Sequence, residues 1–259
     1  MKLATWLFGA ASVIAGILDL IWREFEPAHQ PIQAWSDHIP GVIVFACIAA
    51  LWLIAGGVAL LIRPAARAGA AALAILYGIF VLFPLPRLYT APTYLGHHFG
   101  VYIGVLVSVS QQLILFIAAA CLWMTLWNRP ANVITTRTLR WAFGLCCIVF
   151  GLGHFTALQP TASMLPAWMP FGGVFWSVLS GIAFLAAGLA IVSGILDVQA
   201  AGLLAVMFLL FVVLVLTPRA LAAPRSHVAW GGDAYTLAAV GASGIFSAWL
   251  AANRTGSAI

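Results

Sequence analysis

Charge is the scarcest property of this sequence. Only 7% of the 259 residues are charged, whereas about a quarter are charged in ordinary soluble domains. Six acidic and eleven basic side chains cannot cover the surface of a soluble protein of this length. Hydrophobic residues make up 64% of the chain, and they form long blocks close to the ~20 residues that cross a bilayer as a helix. The composition therefore excludes an ordinary soluble fold.

The apolar blocks also lack the period-two alternation that is typical of transmembrane β-strands. A segment inside lipid must satisfy its backbone hydrogen bonds internally, which leaves the α-helix. We therefore predict an all-α, polytopic membrane protein with eight transmembrane helices. Their predicted ranges are 4–22, 41–62, 68–86, 100–127, 139–158, 171–192, 199–217 and 234–252.

Motifs of several function classes are missing. None of the four cysteines forms a C-x-x-C pair, which argues against a dithiol redox enzyme. The sequence has no phosphate-binding loop, no nucleophile motif and no basic patch for nucleic acid. An independent enzyme is therefore the least favoured function, and nucleic acid is not an expected partner.

One pattern occurs twice along the chain. WLFGAASVIAGILD from Trp6 aligns with WAFGLCCIVFGLGH from Trp141 at an offset of 135 residues. Farther on, PRLYTAP at 86–92 corresponds to PRALAAP at 218–224. The pattern places glycines at equivalent positions in both halves, and we expect Gly9, Gly16, Gly144 and Gly151 to let neighbouring helices approach closely. The equivalent glycines are Gly9, Gly16 and Gly57, which correspond to Gly144, Gly151 and Gly188.

The repeat predicts two similar four-helix units, residues 1–128 and 137–259, joined by a cytoplasmic linker at 129–136. Because each unit contains an even number of helices, both units insert in the same direction. Such a parallel repeat differs from the inverted repeat of many alternating-access carriers, although some carriers use parallel repeats.

Basic residues are distributed unevenly between the predicted loops. Seven of the eleven lie on the side that holds both chain termini, and four lie on the other side with most of the acidic residues. The positive-inside rule places the seven-base side in the cytoplasm. We therefore predict a multi-pass protein of the bacterial inner membrane with both termini cytoplasmic. All six histidines fall on the periplasmic side, where we expect any binding site.

The second helix and the loop after it, GGVALLIRPAARAGAAALA at 56–74, resemble the DoxX-like family of four-helix membrane proteins. The resemblance is clearer in GLGHFTALQPTASMLPAWMP at 151–170 and extends over the chain twice, as a fused tandem. Some members of that family are small membrane subunits of thiosulfate:quinone oxidoreductase. Others serve in methylamine utilisation. The resemblance thus implies a quinone-linked or redox-maturation context, with quinone as a candidate ligand and a redox membrane complex as a candidate partner. Leu53 and Phe184 stand near positions where relatives often carry an acidic residue.

Asp19 and His154 occupy equivalent positions near the periplasmic boundary. Ionisable groups in membrane segments are costly and usually face a partner or a cavity. They could form hydrogen bonds to a quinone head or handle a proton; the alternative is a helix cap or an interhelical hydrogen bond. Arg87 and Arg219 each follow a proline and begin an outer loop, where they could hold an anionic head group or reach lipid phosphate.

Further candidates are His38, His97, His98 and His227, which lie in or beside the periplasmic loops. Several imidazoles on one face could bind a metal, but no H-x-x-x-H spacing exists, so we assign no metal site. Gln111 and Gln112 lie mid-span, where they could line a polar cavity or bridge helices.

The sequence therefore predicts an accessory or binding subunit that engages a lipophilic head group, a quinone or a lipid, at the periplasmic face. Two alternatives remain. One is a small-solute transporter with Gln111 and Gln112 along its path, and the other is a structural or assembly protein without a ligand.

Overall fold

The computed structural model describes residues 1–26, 40–129 and 131–255. This part of the chain is helical and contains no strand. The helices are α1 (Lys2–Trp22), α2 (Val42–Leu61), α3 (Ala66–Leu82), α4 (Arg87–Leu95), α5 (Phe99–Leu126), α6 (Val133–Thr156), α7 (Leu158–Ala162), α8 (Gly172–Ser193), α9 (Asp197–Phe211), α10 (Thr217–Ala222) and α11 (His227–Thr255).

Within the described residues, eight helical stretches are long and apolar enough to cross a membrane. They are Lys2–Trp22, Val42–Leu61, Arg63–Leu82, Phe99–Leu126, Val133–Thr156, Gly172–Ser193, Asp197–Ala222 and His227–Asn253. The prediction of an all-helical, multi-pass membrane architecture is thus confirmed. Large apolar side chains such as Ile48, Leu51 and Leu203 are exposed on the outer surface, as lipid-facing residues should be.

Two helices begin several residues before their predicted starts. α6 begins at Val133, because the Asn132 side chain accepts a hydrogen bond of 2.7 Å from the Thr135 N–H and caps the helix. α11 begins at His227 rather than near 234, and the Ser226 hydroxyl accepts a bond of 3.2 Å from the Ala229 N–H. The first turns of both helices contain polar residues, so a prediction based on apolar runs placed both helix starts too late in the chain.

The segments PRLYTAP and PRALAAP were expected to be loops, and this expectation is wrong. Arg87 begins α4 directly after Pro86, and Arg219 lies in α10, which has a proline in its first turn. A proline fits there because the first turn of a helix needs no N–H donor. A π-helical segment, Val212–Leu216, joins α9 to α10.

The long helices follow the same packing order in each half. Neighbours are α1 with α2, α2 with α3 and α3 with α5, and then α6 with α8, α8 with α9 and α9 with α11. Contacts between the halves join α1 to α11, α5 to α6, and α5 to α11. The most apolar windows of α5 and α11 are 56% and 72% buried, whereas those of the other six spans are 28–39% buried. α5 and α11, the last long helices of the two halves, therefore lie at the centre of the helical bundle.

Glycines bring the first two helices of each half into close contact. A Cβ atom added at Gly57 would lie 2.7 Å from the Gly9 carbonyl oxygen, and one at Gly188 would lie 2.7 Å from the Gly144 carbonyl oxygen. A Cβ at Gly16 would lie 2.5 Å from the carbonyl oxygen of Ala50. The packing role predicted for the glycines of α1 and α6 is confirmed, since no side chain would fit at these positions without a shift of the helices.

The two ends of the bundle differ chemically. At one end, which we call the arginine end, Arg140 lies 3.8 Å from Asp197, and the Arg67 guanidinium lies 5.5 Å from the centre of the Trp127 ring. At the opposite end, which we call the histidine end, α1 and α6 finish and α5 and α11 begin. The side chain of His227 meets that of Asp19 there.

Candidate functional site

At the histidine end, the structure divides the predicted site residues between separate locations. His38 lies outside the described residues. Asp19 and His227 contact each other, Arg87 lies in a small cavity beside α5, and His154 lines a much larger cavity. The remaining three, His97, His98 and Arg219, are exposed at the surface.

His227 lies between two carboxylates where α11 begins against the end of α1. Its Nε2 is 3.1 Å from Asp19 Oδ1, and its Nδ1 is 3.0 Å from Glu24 Oε1. The indole of Trp22 stacks on the imidazole, with ring centres 5.0 Å apart and planes inclined by 7°. Asp19 Oδ1 also accepts a hydrogen bond of 3.2 Å from the Glu26 backbone N–H.

This cluster connects the first span of the protein to the last. Asp19 is 1% exposed and His227 is 5% exposed, so their contact lies in an environment of low polarity, where a polar contact is electrostatically strong. Since an ionised carboxylate only accepts hydrogen bonds, bonding at both ring nitrogens requires an imidazolium or a protonated carboxyl group. For Asp19, the interhelical hydrogen bond that sequence analysis gave as an alternative role is therefore present. Sequence reasoning missed Trp22 and Glu24.

Arg87 and Arg219 do not occupy equivalent environments. Arg87 is half-buried and lines a cavity of about 320 Å³ together with Gly100, Gly104 and Ser108. Burial lowers the pKa of the Arg87 guanidinium, and the nearby charge of Glu26 acts in the opposite direction. Arg219 is exposed on α10. Of these two arginines, Arg87 therefore has the environment closer to that of a ligand site.

The exposed histidines form no ligand set. His97 Nδ1 lies 2.9 Å from the Tyr102 hydroxyl, and His98 precedes the first turn of α5. Within residues 1–26, 40–129 and 131–255, no group of three or more His, Cys, Asp and Glu side chains has an arrangement that could hold a metal ion.

A cavity of about 810 Å³ lies at the histidine end, between α5 of the first half and the helices of the second half. Its walls come from α5, α6, α8, α9 and α11, and from the loop and π-helical segments that follow α6 and α9. Most of its surface is apolar and rich in aromatic and methionine side chains. These include Phe150, Met164, Trp168, Met169, Trp176, Phe184, Met207, Phe208 and Phe211.

A few polar groups interrupt this apolar wall. His154 Nδ1 lies 2.8 Å from the Phe150 carbonyl oxygen. Ser177, which is 1% exposed, and Tyr235 both line the cavity. The hydroxyl oxygens of both residues are buried, and neither has a hydrogen-bond partner among the described residues. Gln111 lines the cavity from the middle of α5.

Ligand pockets typically have volumes of about 300–1,000 Å³ and combine an apolar wall with a small number of placed polar groups. The large cavity has these properties. The hydroxyl oxygens of Ser177 and Tyr235 have almost no accessible surface, so His154 and Gln111 are the better-placed polar groups of its wall. The cavity is therefore the strongest candidate site, and two residues that sequence analysis singled out, Gln111 and His154, line it.

Sequence reasoning missed Ser177 and Tyr235. The available signal was their position, since each is a hydroxyl residue near the periplasmic end of a predicted span. Serine and tyrosine are common at such positions, so the sequence alone gave no reason to select these two.

No protein-family model matches the chain, and no curated protein or solved structure is significantly similar to it. The case for a function therefore depends on the geometry of the site.

Proposed function

We propose that this protein binds a lipophilic ligand with a polar, quinone-type head group in the large cavity. The observation that carries the proposal is the cavity of about 810 Å³ with its aromatic wall, which the polar side chains of His154 and Gln111 also line. A flat ring would pack against Phe184 and Phe208, and its oxygen atoms would take up the hydrogen-bonding capacity of the polar groups.

The position of the cavity suits a ligand that arrives from the membrane. It lies within apolar spans at the histidine end, and the bias of basic residues toward the other end supports our proposal that the histidine end faces the periplasm. In this proposal both termini are cytoplasmic, and the chain is a tandem of two DoxX-like units inserted in the same direction. The matched helix packing of the halves supports the duplication.

The proposal gives the other predicted residues supporting roles. Asp19 and His227 already contact each other, so they hold α1 and α11 together and do not form part of the ligand site. Arg87 lies beside Gly100 and Gly104, which also line the large cavity, and its positive charge is therefore close to one wall of the site.

Fluorescence can test the binding directly, because Trp168 and Trp176 line the cavity and quinones quench indole emission. The purified protein in nanodiscs would be titrated with a quinone that carries two isoprene units. We expect saturable quenching in the wild type and much weaker quenching in a Trp168→Phe/Trp176→Phe variant. Trp6→Phe is the matched control, since Trp6 is exposed at the arginine end and should leave the titration unchanged. A linear, non-saturable response in all three proteins would refute the proposal.

One observation favours a second candidate, a small-solute transporter. Gln111 lines the cavity from the middle of α5, so a polar group is present about halfway along this span. A transported polar solute would need more such groups than the mainly apolar wall supplies. Transport would be favoured over ligand binding by two results together. The wild type would take up a labelled solute without any quinone quenching, and Gln111→Leu would abolish that uptake.

A further inference from the structure

We infer that the cavity selects a ligand with a hydroxyl group at its head, a hydroquinone or related aromatic alcohol, over the corresponding quinone. The inference rests on the proposed function and specifies the chemical form of the ligand. It follows from the hydrogen bonding of His154 and from the polar groups that share the cavity with it.

The first step concerns the proton on the His154 ring. Nδ1 lies 2.8 Å from the Phe150 carbonyl oxygen, four residues earlier on the same helix. A carbonyl oxygen can only accept, so Nδ1 must carry a hydrogen and donate it. In a neutral imidazole, the other nitrogen then has a lone pair and acts as an acceptor. The backbone of α6 thus fixes Nε2 of His154 as a hydrogen-bond acceptor.

The second step concerns the location of that acceptor. His154 lines the large cavity, and its ring also packs against Phe184, with ring centres 5.2 Å apart. Among the described residues, Nε2 has no hydrogen-bond partner. A ligand in the cavity would therefore meet a lone pair in a surrounding that is mostly aromatic and apolar.

The third step concerns the ligand. A hydroquinone hydroxyl can donate to Nε2, whereas a quinone carbonyl oxygen would bring a second lone pair against it. Such a repulsive contact is an effective basis for discrimination between similar ligands. The side-chain amide of Gln111, which also lines the cavity, can donate or accept, so it suits an oxygen of either form. His154 is therefore the residue that distinguishes the two forms.

Binding of three matched probes tests this inference. They are a short-chain hydroquinone, its quinone, and its dimethyl ether, which has the same ring without a donor. Full-length protein in nanodiscs would be titrated anaerobically at pH 8, where imidazole is neutral. We expect the hydroquinone to bind about tenfold more tightly than the other two, the effect of one good hydrogen bond in a buried site.

Two variants test whether the preference for the hydroquinone comes from the His154 imidazole. His154→Gln supplies both a donor and an acceptor, so the three affinities should become similar. His98→Gln is the matched control, because His98 is exposed at the same end and does not line the cavity; it should keep the wild-type ratio. A wild-type protein that binds the hydroquinone and quinone equally would overturn the inference and leave the proposed function intact. Failure of all three probes to bind would instead overturn the proposed function.

A measurement on the wild type does not depend on the variants folding. Nitrogen-15 NMR of labelled histidine distinguishes a protonated ring nitrogen from one with a lone pair, and the proximity of the Phe184 ring, whose centre lies 5.2 Å away, identifies the His154 signal. We expect the hydrogen of neutral His154 on Nδ1. A hydrogen on Nε2 would overturn the inference, because the ring would then donate to the ligand.

Discussion

Replacement of Gly57 with alanine should force α1 and α2 apart. The added Cβ would lie 2.7 Å from the Gly9 carbonyl oxygen and 2.8 Å from Val13 Cγ2, whereas ordinary contact begins at 3.4 Å. The nearest atom belongs to the backbone, so a side-chain rotation cannot relieve the clash and the helix must move. Gly188→Ala should act in the same way on α6 and α8, because its Cβ would lie 2.7 Å from the Gly144 carbonyl oxygen.

The cost can be compared with that of other overpacked sites. Extra methyl groups in a well-packed interior typically destabilise a protein by about 1–3 kcal/mol. For a chain of this length, each kcal/mol lowers the melting temperature by about 2–4 °C. We therefore expect each substitution to lower the melting temperature by about 5 °C. Gly104→Ala is the matched control, since a Cβ there would have nothing within 4 Å.

The buried cysteines provide the assay. Cys121, Cys146 and Cys147 are 0–3% exposed, so a thiol-reactive dye should label them only when the protein unfolds. Melting curves of the three glycine variants would be recorded in the same detergent. If Gly57→Ala and Gly188→Ala both melted together with Gly104→Ala, the close helix approach described above would be wrong.

Three further predictions concern Asp19, Ser177 and the membrane topology. Asp19→Ala should destabilise the protein by about 3 kcal/mol in the dye assay, because it leaves buried His227 without one of its two carboxylates. A loss of stability no larger than that caused by His154→Ala would contradict the proposed connection of α1 to α11. Ser177→Ala should raise the melting temperature slightly, because it removes a buried hydroxyl without a partner among the described residues; a melting temperature below that of the wild type would contradict this environment of Ser177. Cysteines introduced at exposed positions 97 and 225 should react with an impermeant reagent from the periplasm, and those at 129 and 137 should not; labelling of 97 and 225 from opposite sides would contradict the topology.

The transmembrane architecture could be predicted from the sequence because it depends on the length of apolar runs. Such runs are detected without knowledge of the tertiary fold. The errors occurred where polar residues or prolines begin a helix, as at His227 and Pro86. A capping serine or a proline in a first turn stabilises a helix start locally, but the same residues are equally common in loops.

The binding site was less predictable than the fold. Asp19 and His154 occupy equivalent positions in the two sequence repeats, yet one contacts His227 and the other lines a cavity. Their difference arises from neighbours on distant parts of the chain, and His227 is 208 residues from Asp19. Ser177 of α8 and Tyr235 of α11 likewise line the same cavity although 58 residues separate them in the sequence. Single-sequence patterns carry no information about such contacts.

Mass spectrometry of the protein released from native membranes tests the central claim most directly. The wild type should carry an additional mass that corresponds to a lipophilic molecule with an oxygen-containing aromatic head. An Ala183→Phe variant, which places a ring inside the cavity, should lose that mass while keeping its folded charge-state distribution. A wild type without any bound molecule, or the same molecule on both proteins, would contradict the account of the cavity as a ligand site.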